Sequence, residues 1–307
     1  MKPLTPIPVI GKNYERMELH QLRYFCAVAR TGAFTRAAEE EGVSQPTLSQ
    51  QIRKLEASLG MALFERRGRN VRLTQPGARL LPLAQEVLRH VIDARQALEC
   101  MRGDIRGPLT VGCIPTVMPY LLAPRAAEFQ HEYPDVQLHL VENTTARLAQ
   151  QLQAGEVDVA VVSLPVGNRD LVCSELFRER LLLAVPSTHR LARASAVTPR
   201  DLRGDRLLIL REGHCFRGEA LAACRRTGSN LGVFFETDQF ASIFSLVAGG
   251  FGISVVPEMA ASHADGCRLI PLQRPAMRRI GYATVRRPFV PPAERAFISW
   301  LRQLRPN

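Results

Sequence analysis

The spacing of apolar residues over positions 18–55 predicts three helices. Residues 18–30 repeat apolar side chains at intervals of three and four, as one face of an amphipathic helix does. Residues 33–41 predict a second, short helix, and a third begins after Ser44, a typical N-cap, with Pro46 in its first turn. The buried stripe of this third helix is expected to be formed by Leu48, Ile52 and Leu55.

The second and third predicted helices are joined by a glycine-containing turn, which is the pattern of a helix-turn-helix. The third helix is expected to present outward the polar side chains of Gln45, Thr47, Ser49, Gln50 and Arg53, which can bond base edges and phosphates. Residues 63–74 place four arginines around a Gly-Arg-Asn turn, which predicts a basic hairpin that grips the DNA backbone. The alternative, a small helical domain with no DNA-binding role, does not explain this combination.

Residues 77–101 carry apolar side chains at helical, heptad-like spacing, so a single long helix there requires a partner helix. Residues 103–108 predict a hinge into a second domain. In that domain, strands at 109–114, 136–142 and 157–162 alternate with helices at 119–133 and 145–154, which predicts a mainly parallel sheet. Further strands are predicted at 181–186, 206–210, 233–237 and 253–256, and further helices at 241–248 and 292–304.

Charge and length narrow the class of protein. The 307 residues suit two domains, and the net charge of +11 favours a polyanionic partner. The sequence contains no run of eighteen apolar residues, which argues against a membrane span. Residues 1–16 predict a disordered leader, with Met17 as an alternative start. We expect a solvated face from the C-terminal arginines, which are Arg268, Arg274, Arg278, Arg279, Arg286, Arg287, Arg295, Arg302 and Arg305.

Seven cysteines, an odd number, argue against a secreted disulfide framework and for a reducing compartment, the cytoplasm. No pair has the spacing of a zinc site, and we expect neither a metal nor another cofactor. Two cysteines differ from the rest. Cys215 stands beside His214 and two residues before Arg217, and Cys224 follows nine positions later. Such an arrangement is typical of redox chemistry, although both cysteines could also serve only in packing.

Residues 25–77 closely resemble the winged helix-turn-helix of LysR-type transcriptional regulators, through Gly32-Ala33-Phe34, Val43-Ser44-Gln45-Pro46, Leu63-Phe64 and Leu73-Thr74-Gln75-Pro76-Gly77. The resemblance implies an N-terminal all-α winged helix-turn-helix over 17–76, a dimerising linker helix over 77–102, and a sensing domain over 108–307. That last domain is expected to be α/β, two-lobed and periplasmic-binding-protein-like. The implied DNA contacts are Gln45, Pro46, Thr47, Ser49, Gln50 and Arg53 on the recognition helix and Arg66 on the wing.

The same resemblance implies a regulator rather than an enzyme. Its expected partners are double-stranded promoter DNA, further copies of itself in a homodimer or homotetramer, and RNA polymerase. An enzyme built on the binding-protein fold is the least supported alternative. A regulator that responds to a small metabolite bound between the two lobes stays open.

Residues 114–122 and Gly213-His214-Cys215-Phe216-Arg217, with Cys224, resemble the OxyR-like activators, the hydrogen-peroxide-sensing subfamily of these regulators. The resemblance implies that the Cys215 thiolate attacks peroxide, stabilised by His214, Arg217 and the start of a helix near Phe216. The hydroxyls of Thr116 and Thr145 would hold the peroxide oxygens. Cys224 would then close a disulfide with Cys215, and a thiol reductant protein would reopen it.

If residues 216–226 are helical, nine residues separate the cysteines by roughly 13 Å of rise, whereas a disulfide needs Cα atoms within about 7 Å. Oxidation would therefore unwind this helix and release the packing of Leu221 and Ala222. Two residues depart from the subfamily pattern. Gly218 replaces an acidic residue, and Arg225 replaces an apolar one.

Overall fold

The computed structural model describes residues 17–67, 70–99, 105–225, 232–287 and 289–305, and at 66, 67, 70, 95–97, 99, 199 and 225 it describes the backbone alone. The predicted leader at 1–16 lies outside the described residues. The chain forms two compact units that divide between Arg95 and Gln96. Within the described part of the chain, no helix combines the length and apolar character that a membrane crossing requires.

The first unit contains the three predicted helices and the hairpin. Its elements are α1 (Leu19–Thr31), α2 (Phe34–Glu40), α3 (Gln45–Leu59), β1 (Phe64–Arg67) and β2 (Asn70–Leu73). Gly32 ends α1 in the left-handed region at φ 66°, where glycine is favoured. Ser44 caps α3, because its Oγ accepts the N–H of Thr47 at 3.3 Å. The sequence-based prediction of these elements is confirmed.

The hairpin is fixed to the helices by packing and by one carboxylate. Phe25 is fully buried, and its ring lies 5.3 Å from that of Phe64 at the start of β1. Glu56 Oε1 accepts the backbone N–H groups of Leu63 at 2.8 Å and of Phe64 at 3.2 Å. This double acceptance ties the end of α3 to the hairpin, so the two candidate DNA-contacting elements are held in one geometry.

A long helix, α4 (Gln75–Glu99), follows the hairpin. The apolar side chains of Leu83, Val87 and Ile92 on this helix are exposed. Such a stripe agrees with the predicted need for a partner helix. Residues 100–102 of the predicted linker lie outside the described residues.

The second unit has two lobes with separate apolar cores. In the first lobe, β3 (Gly107–Cys113) lies between β4 (Val136–Glu142) and β5 (Val159–Leu164), and all three are parallel. Antiparallel β11 (Met277–Val285) extends this sheet beyond β5. Three helices complete the lobe, namely α5 (Ala126–Glu132), α6 (Thr145–Ala154) and α9 (Pro292–Leu301).

The long strand β6 (Leu171–Pro186) connects the two lobes. Its first part pairs with β11, and its last part pairs with β9 (Ser254–Pro257) and β10 (Cys267–Pro271). The second lobe also contains a parallel pair, β7 (Leu207–Leu210) and β8 (Val233–Thr237), and the helices α7 (Cys215–Arg225) and α8 (Phe240–Ala248). The predicted α/β two-lobed architecture is confirmed, but the prediction of a mainly parallel sheet is wrong, because β6 pairs antiparallel with β9, β10 and β11, and β11 pairs antiparallel with β5. Three parts of the sheet were not predicted: β10, β11 and the first ten residues of β6.

The predicted helix at 119–133 is wrong as one continuous element. The chain instead forms a π-helical turn at Met118–Leu122, a 3₁₀ turn at Ala123–Arg125 and then α5. Pro119 and Pro124 have no N–H to donate, and a proline ring clashes with the preceding turn of a regular α-helix. Regular α-helix therefore begins only after the second proline.

Candidate functional site

Cys215 is the first residue of α7 and lies in the wall of a cleft of about 460 Å³. The backbone reaches it through Gly213, whose φ of +98° is strained for any residue with a side chain. The first residue of α6, Thr145, lines the same cleft. Both helices therefore point their N-termini, which favour negative charge, toward the space beside the Cys215 thiol.

The immediate surroundings of the Cys215 thiol act in opposite directions on its pKa. Burial raises the pKa above its ordinary value, and the negative charge of Glu219 raises it further. The Thr145 hydroxyl, the Arg278 guanidinium and the Phe216 amide lower it. Thr145 Oγ1 is buried and makes no hydrogen bond of ordinary geometry among the described residues. Because burial is the largest contribution, the thiolate is the minor form near neutral pH.

The cation that acts on Cys215 is Arg278, which is fully buried on β11. Its Nη1 donates to Thr116 Oγ1 at 2.9 Å, its Nη2 donates to the Thr116 carbonyl at 3.0 Å, and its Nε forms an ion pair with buried Glu179. The guanidinium also lies over the Phe216 ring, 5.1 Å from its centroid. One side chain thus joins the first lobe, the connecting strand β6 and the start of α7.

The prediction that the C-terminal arginines form a solvated face is wrong for Arg278, and it is also wrong for Arg287, whose side chain is 8% exposed and forms an ion pair with Glu294. A signal was present in the sequence, since Arg278 alternates with Ile280 and Tyr282 along β11, and all three are buried. The exposed members of the C-terminal cluster agree with the prediction; they are Arg268, Arg274, Arg279, Arg286, Arg295, Arg302 and Arg305.

His214 and Arg217, the predicted activators of Cys215, are occupied by other partners. Arg217 Nη1 donates to the Leu210 carbonyl at 3.1 Å and pairs with Glu236 at 2.8 Å. His214 Nε2 lies 3.2 Å from Asp238 Oδ1. The cation that acts on the Cys215 thiol is therefore Arg278 and not Arg217. The distance between these residues along the sequence could not indicate this.

Cys224 lies on the buried side of α7, nine residues after Cys215. The helix is continuous from Cys215 to Arg225, which separates the two cysteines by about 13 Å along its axis, beyond the reach of a disulfide. The two are not joined in a disulfide, and burial raises the pKa of Cys224 to about 11. The helix that the expectation assumed is present over Cys215–Arg225, so the two cysteines are too far apart to pair while it stays intact.

The packing that unwinding would release differs from the prediction. Ala222 is exposed and Leu221 is only partly buried. The buried side chains of α7 are instead Phe216, Ala220, Ala223 and Cys224. These side chains pack into the core of the second lobe, so unwinding would expose part of that core.

The outer surface of α3 presents most of the predicted DNA contacts. The exposed residues among them are Gln45, Pro46, Thr47, Gln50 and Arg53. Four of these line a shallow groove, namely Pro46, Thr47, Gln50 and Arg53, together with Lys54, which was not predicted. Ser49 was expected to face outward, but it is only 4% exposed. Three residues of helix place Ser49 only about 60° from Ile52, so it lies at the edge of the buried stripe. The side chain of Arg66 lies outside the described residues.

No cluster of three or more potential metal ligands occurs among the residues that the structure describes.

Matches to two family models span most of the chain. Residues 19–78 match the bacterial regulatory helix-turn-helix protein of the lysR family, and residues 102–305 match the LysR substrate binding domain. Both models describe parts of transcriptional regulators rather than enzymes.

Individual relatives agree with these matches. The DNA-binding transcriptional dual regulator OxyR of Escherichia coli (strain K12) is 36% identical over 266 residues, covering 86% of this chain and 87% of that protein. A full-length OxyR variant from Pseudomonas aeruginosa is similar in structure, with a TM-score of 0.77 and 31% identity over 93% of each chain. An H2O2-bound OxyR mutant from Corynebacterium glutamicum gives a TM-score of 0.60 and 32% identity, again over 93% of each chain.

Proposed function

Because the chain belongs to the LysR family of bacterial transcriptional regulators, we propose that it senses hydrogen peroxide through the Cys215 thiol and reports it to promoter DNA. The observation that carries this proposal is the setting of Cys215. The thiol faces a cleft at two helix N-termini, within the electrostatic influence of Arg278 and Thr145, and shares a helix with a second cysteine, Cys224. The names of the OxyR relatives, which include a hydrogen peroxide-inducible genes activator of Dickeya chrysanthemi, support the same signal.

The sensing reaction uses two thiols and one peroxide. Cys215 loses its proton, and the thiolate sulfur attacks one peroxide oxygen, so that an S–O bond forms and the O–O bond breaks. The departing hydroxide takes up a proton and leaves as water, and Cys215 becomes a sulfenic acid. The Cys224 thiolate then attacks this sulfur, the S–S bond forms, and the S–O bond breaks with release of a second water. Two electrons pass from the thiols to peroxide, and a thiol reductant protein returns them.

The second step turns chemistry into a conformational signal. Cys224 reaches Cys215 only when α7 unwinds, which removes Phe216 from its contact with Arg278 and takes Ala220 and Ala223 out of the core. Thr145 lines the cleft beside Cys215, and the buried Thr116 hydroxyl accepts a hydrogen bond from Arg278. We expect both hydroxyls to hold the peroxide oxygens. The unwound segment would then repack and change how subunits are arranged.

We assign the remaining partners to separate segments of the chain. Residues 17–76 bind double-stranded promoter DNA through the exposed face of α3, with Arg66 on the wing as an added backbone contact. Residues 77–102 join two copies through the linker helix, and the assembly is a homodimer or a homotetramer. RNA polymerase is the downstream partner, and the protein acts in the cytoplasm, where its thiols stay reduced between signals.

Promoter footprinting with and without peroxide tests this function. The full-length wild-type protein should change its footprint on oxidation, and Cys215→Ser should bind DNA but keep the reduced footprint. Cys173→Ser is the matched control, since Cys173 is an exposed thiol on β6 outside this cleft, and it should respond like wild type. A peroxide response that survives in Cys215→Ser would refute the proposal.

A small metabolite is the second candidate signal, favoured by a separate cleft of about 540 Å³. Tyr120 and Glu142 line it from the first lobe, and Asp238, Phe240 and His263 line it from the second. A ligand there would contact both lobes. If Cys215→Ser and wild type respond equally to a cell extract freed of peroxide, the metabolite explanation is favoured.

A further inference from the structure

Glu219 lies one helical turn after Cys215 on α7, where residues four apart share a face and their Cβ atoms are about 5–6 Å apart. Its Oε1 accepts the Ser163 hydroxyl at 2.6 Å. Its Oε2 is buried and has no hydrogen-bond partner among the described residues. A buried carboxylate oxygen without a partner is costly, so the orientation of this group beside a reactive thiol calls for a functional explanation.

The polar and charged groups around Glu219 come from four elements. Ser163 on β5 fixes one carboxylate oxygen, Arg278 on β11 attracts the negative charge, and Glu179 on β6 repels it. Cys215 faces it from its own helix. Arg278 directs its hydrogen bonds to Glu179 and Thr116, so its charge is shared among several acceptors. The Glu219 carboxylate is thus held near the thiol and only partly neutralised.

We propose that Glu219 is a positioning residue that sets the peroxide threshold of this protein. When its carboxyl group is ionised, it opposes thiolate formation at Cys215, and when the group is neutral, this opposition is absent. This inference rests on the proposed function of Cys215. Glu219 takes no part in bond making or breaking. It acts through its charge, and Ser163 keeps that charge at a fixed distance from the sulfur.

The size of the effect follows from the spacing. Two unit charges about 6 Å apart change each other's pKa by roughly 0.5 units at the dielectric constant of water and by about 2 units at an effective value of 20. Burial raises the pKa of Glu219 itself, so its charge appears at a higher pH than that of an exposed glutamate. As the pH rises through that window, the new charge raises the pKa of Cys215, and thiolate formation becomes less steep.

Site-resolved alkylation measures this coupling without using peroxide. The reduced full-length protein is treated with iodoacetamide between pH 5 and 10, and the rate at the Cys215 peptide is followed by mass spectrometry. Glu219→Gln keeps the size of the side chain and an oxygen for Ser163 but removes the charge. Glu212→Gln removes an exposed charge three residues before Cys215 and is the matched control. Glu219→Asp retains the charge on a shorter side chain.

Glu219→Gln should move the Cys215 profile to lower pH by about 0.5 to 2 units, whereas Glu212→Gln should move it by less than about 0.3 units. Glu219→Asp should stay closer to wild type than to Glu219→Gln. An unchanged profile in Glu219→Gln, or an equal shift in Glu219→Asp, would overturn the inference. Failure of the proposed function looks different, because wild type would then form no Cys215–Cys224 disulfide with peroxide, whatever the alkylation profiles show.

Discussion

Gly218 lies in the first turn of α7. Replacing it with alanine adds one methyl group and tests whether disulfide formation requires this helix to unwind. A Cβ at this position would meet no atom within 4 Å, and the backbone φ is not in the left-handed region. Gly218→Ala should therefore fit without strain. It should stabilise the helical, reduced form by the difference in helix propensity, which is about 0.5–1 kcal/mol.

That stabilisation has two measurable consequences. It should lower the equilibrium constant for disulfide formation about two- to five-fold, and the reduction potential should become less negative by about 10–20 mV, because 30 mV corresponds to about 1.4 kcal/mol for two electrons. Redox titration against glutathione buffers measures the potential. Stopped-flow oxidation by a small excess of peroxide should show slower disulfide closure but an unchanged rate of sulfenic acid formation at Cys215.

Ala222→Gly supplies the opposite change on the same helix, at an exposed position one turn further along. It should destabilise the helix by a similar amount and make the potential more negative. If both variants shift the potential in the same direction, or neither shifts it, then α7 does not unwind when the disulfide forms.

Three further predictions concern other parts of the molecule. Arg278→Gln should lower the free energy of unfolding in urea by about 3–5 kcal/mol, because Glu179 is left buried without its cation, whereas exposed Arg279→Gln should stay within about 0.5 kcal/mol. Arg53→Ala should weaken promoter binding and reduce the slope of log affinity against log salt by about one; a change in base preference with no change in slope would contradict a phosphate contact. Since burial raises the pKa of Cys224 to about 11, its alkylation at pH 8 should be about a hundred-fold or more slower than that of a free thiol, and fast alkylation would show that α7 is open in the reduced form.

Features that depend on neighbours in sequence were predictable. The helices α1 to α3 follow from apolar periodicity, the cap at Ser44 follows from side-chain type, and the basic hairpin follows from its turn. The same holds for α7 and for the nine-residue spacing of its cysteines. Ser49 was an avoidable error, because counting 100° per residue places it beside Ile52.

The chemistry around Cys215 was only partly predictable, because its parts come from distant segments. Arg278 meets Glu179 across 99 residues and Thr116 across 162, and no local pattern encodes either pairing. His214 and Arg217 were predicted to be the activating groups because they are close to Cys215 in sequence, yet in the fold His214 pairs with Asp238 and Arg217 pairs with Glu236. Proximity along the chain therefore proved a poor guide to proximity around the sulfur.

The central claim is that peroxide joins Cys215 to Cys224. Peptide-resolved mass spectrometry after titration of the reduced full-length protein with hydrogen peroxide tests it most directly. We expect the Cys215–Cys224 disulfide to be the first product and to be complete at about one peroxide per chain, before the exposed thiol of Cys173 is oxidised. Oxidation that begins at Cys173, or a Cys215 sulfenic acid that persists while Cys224 stays reduced, would contradict it.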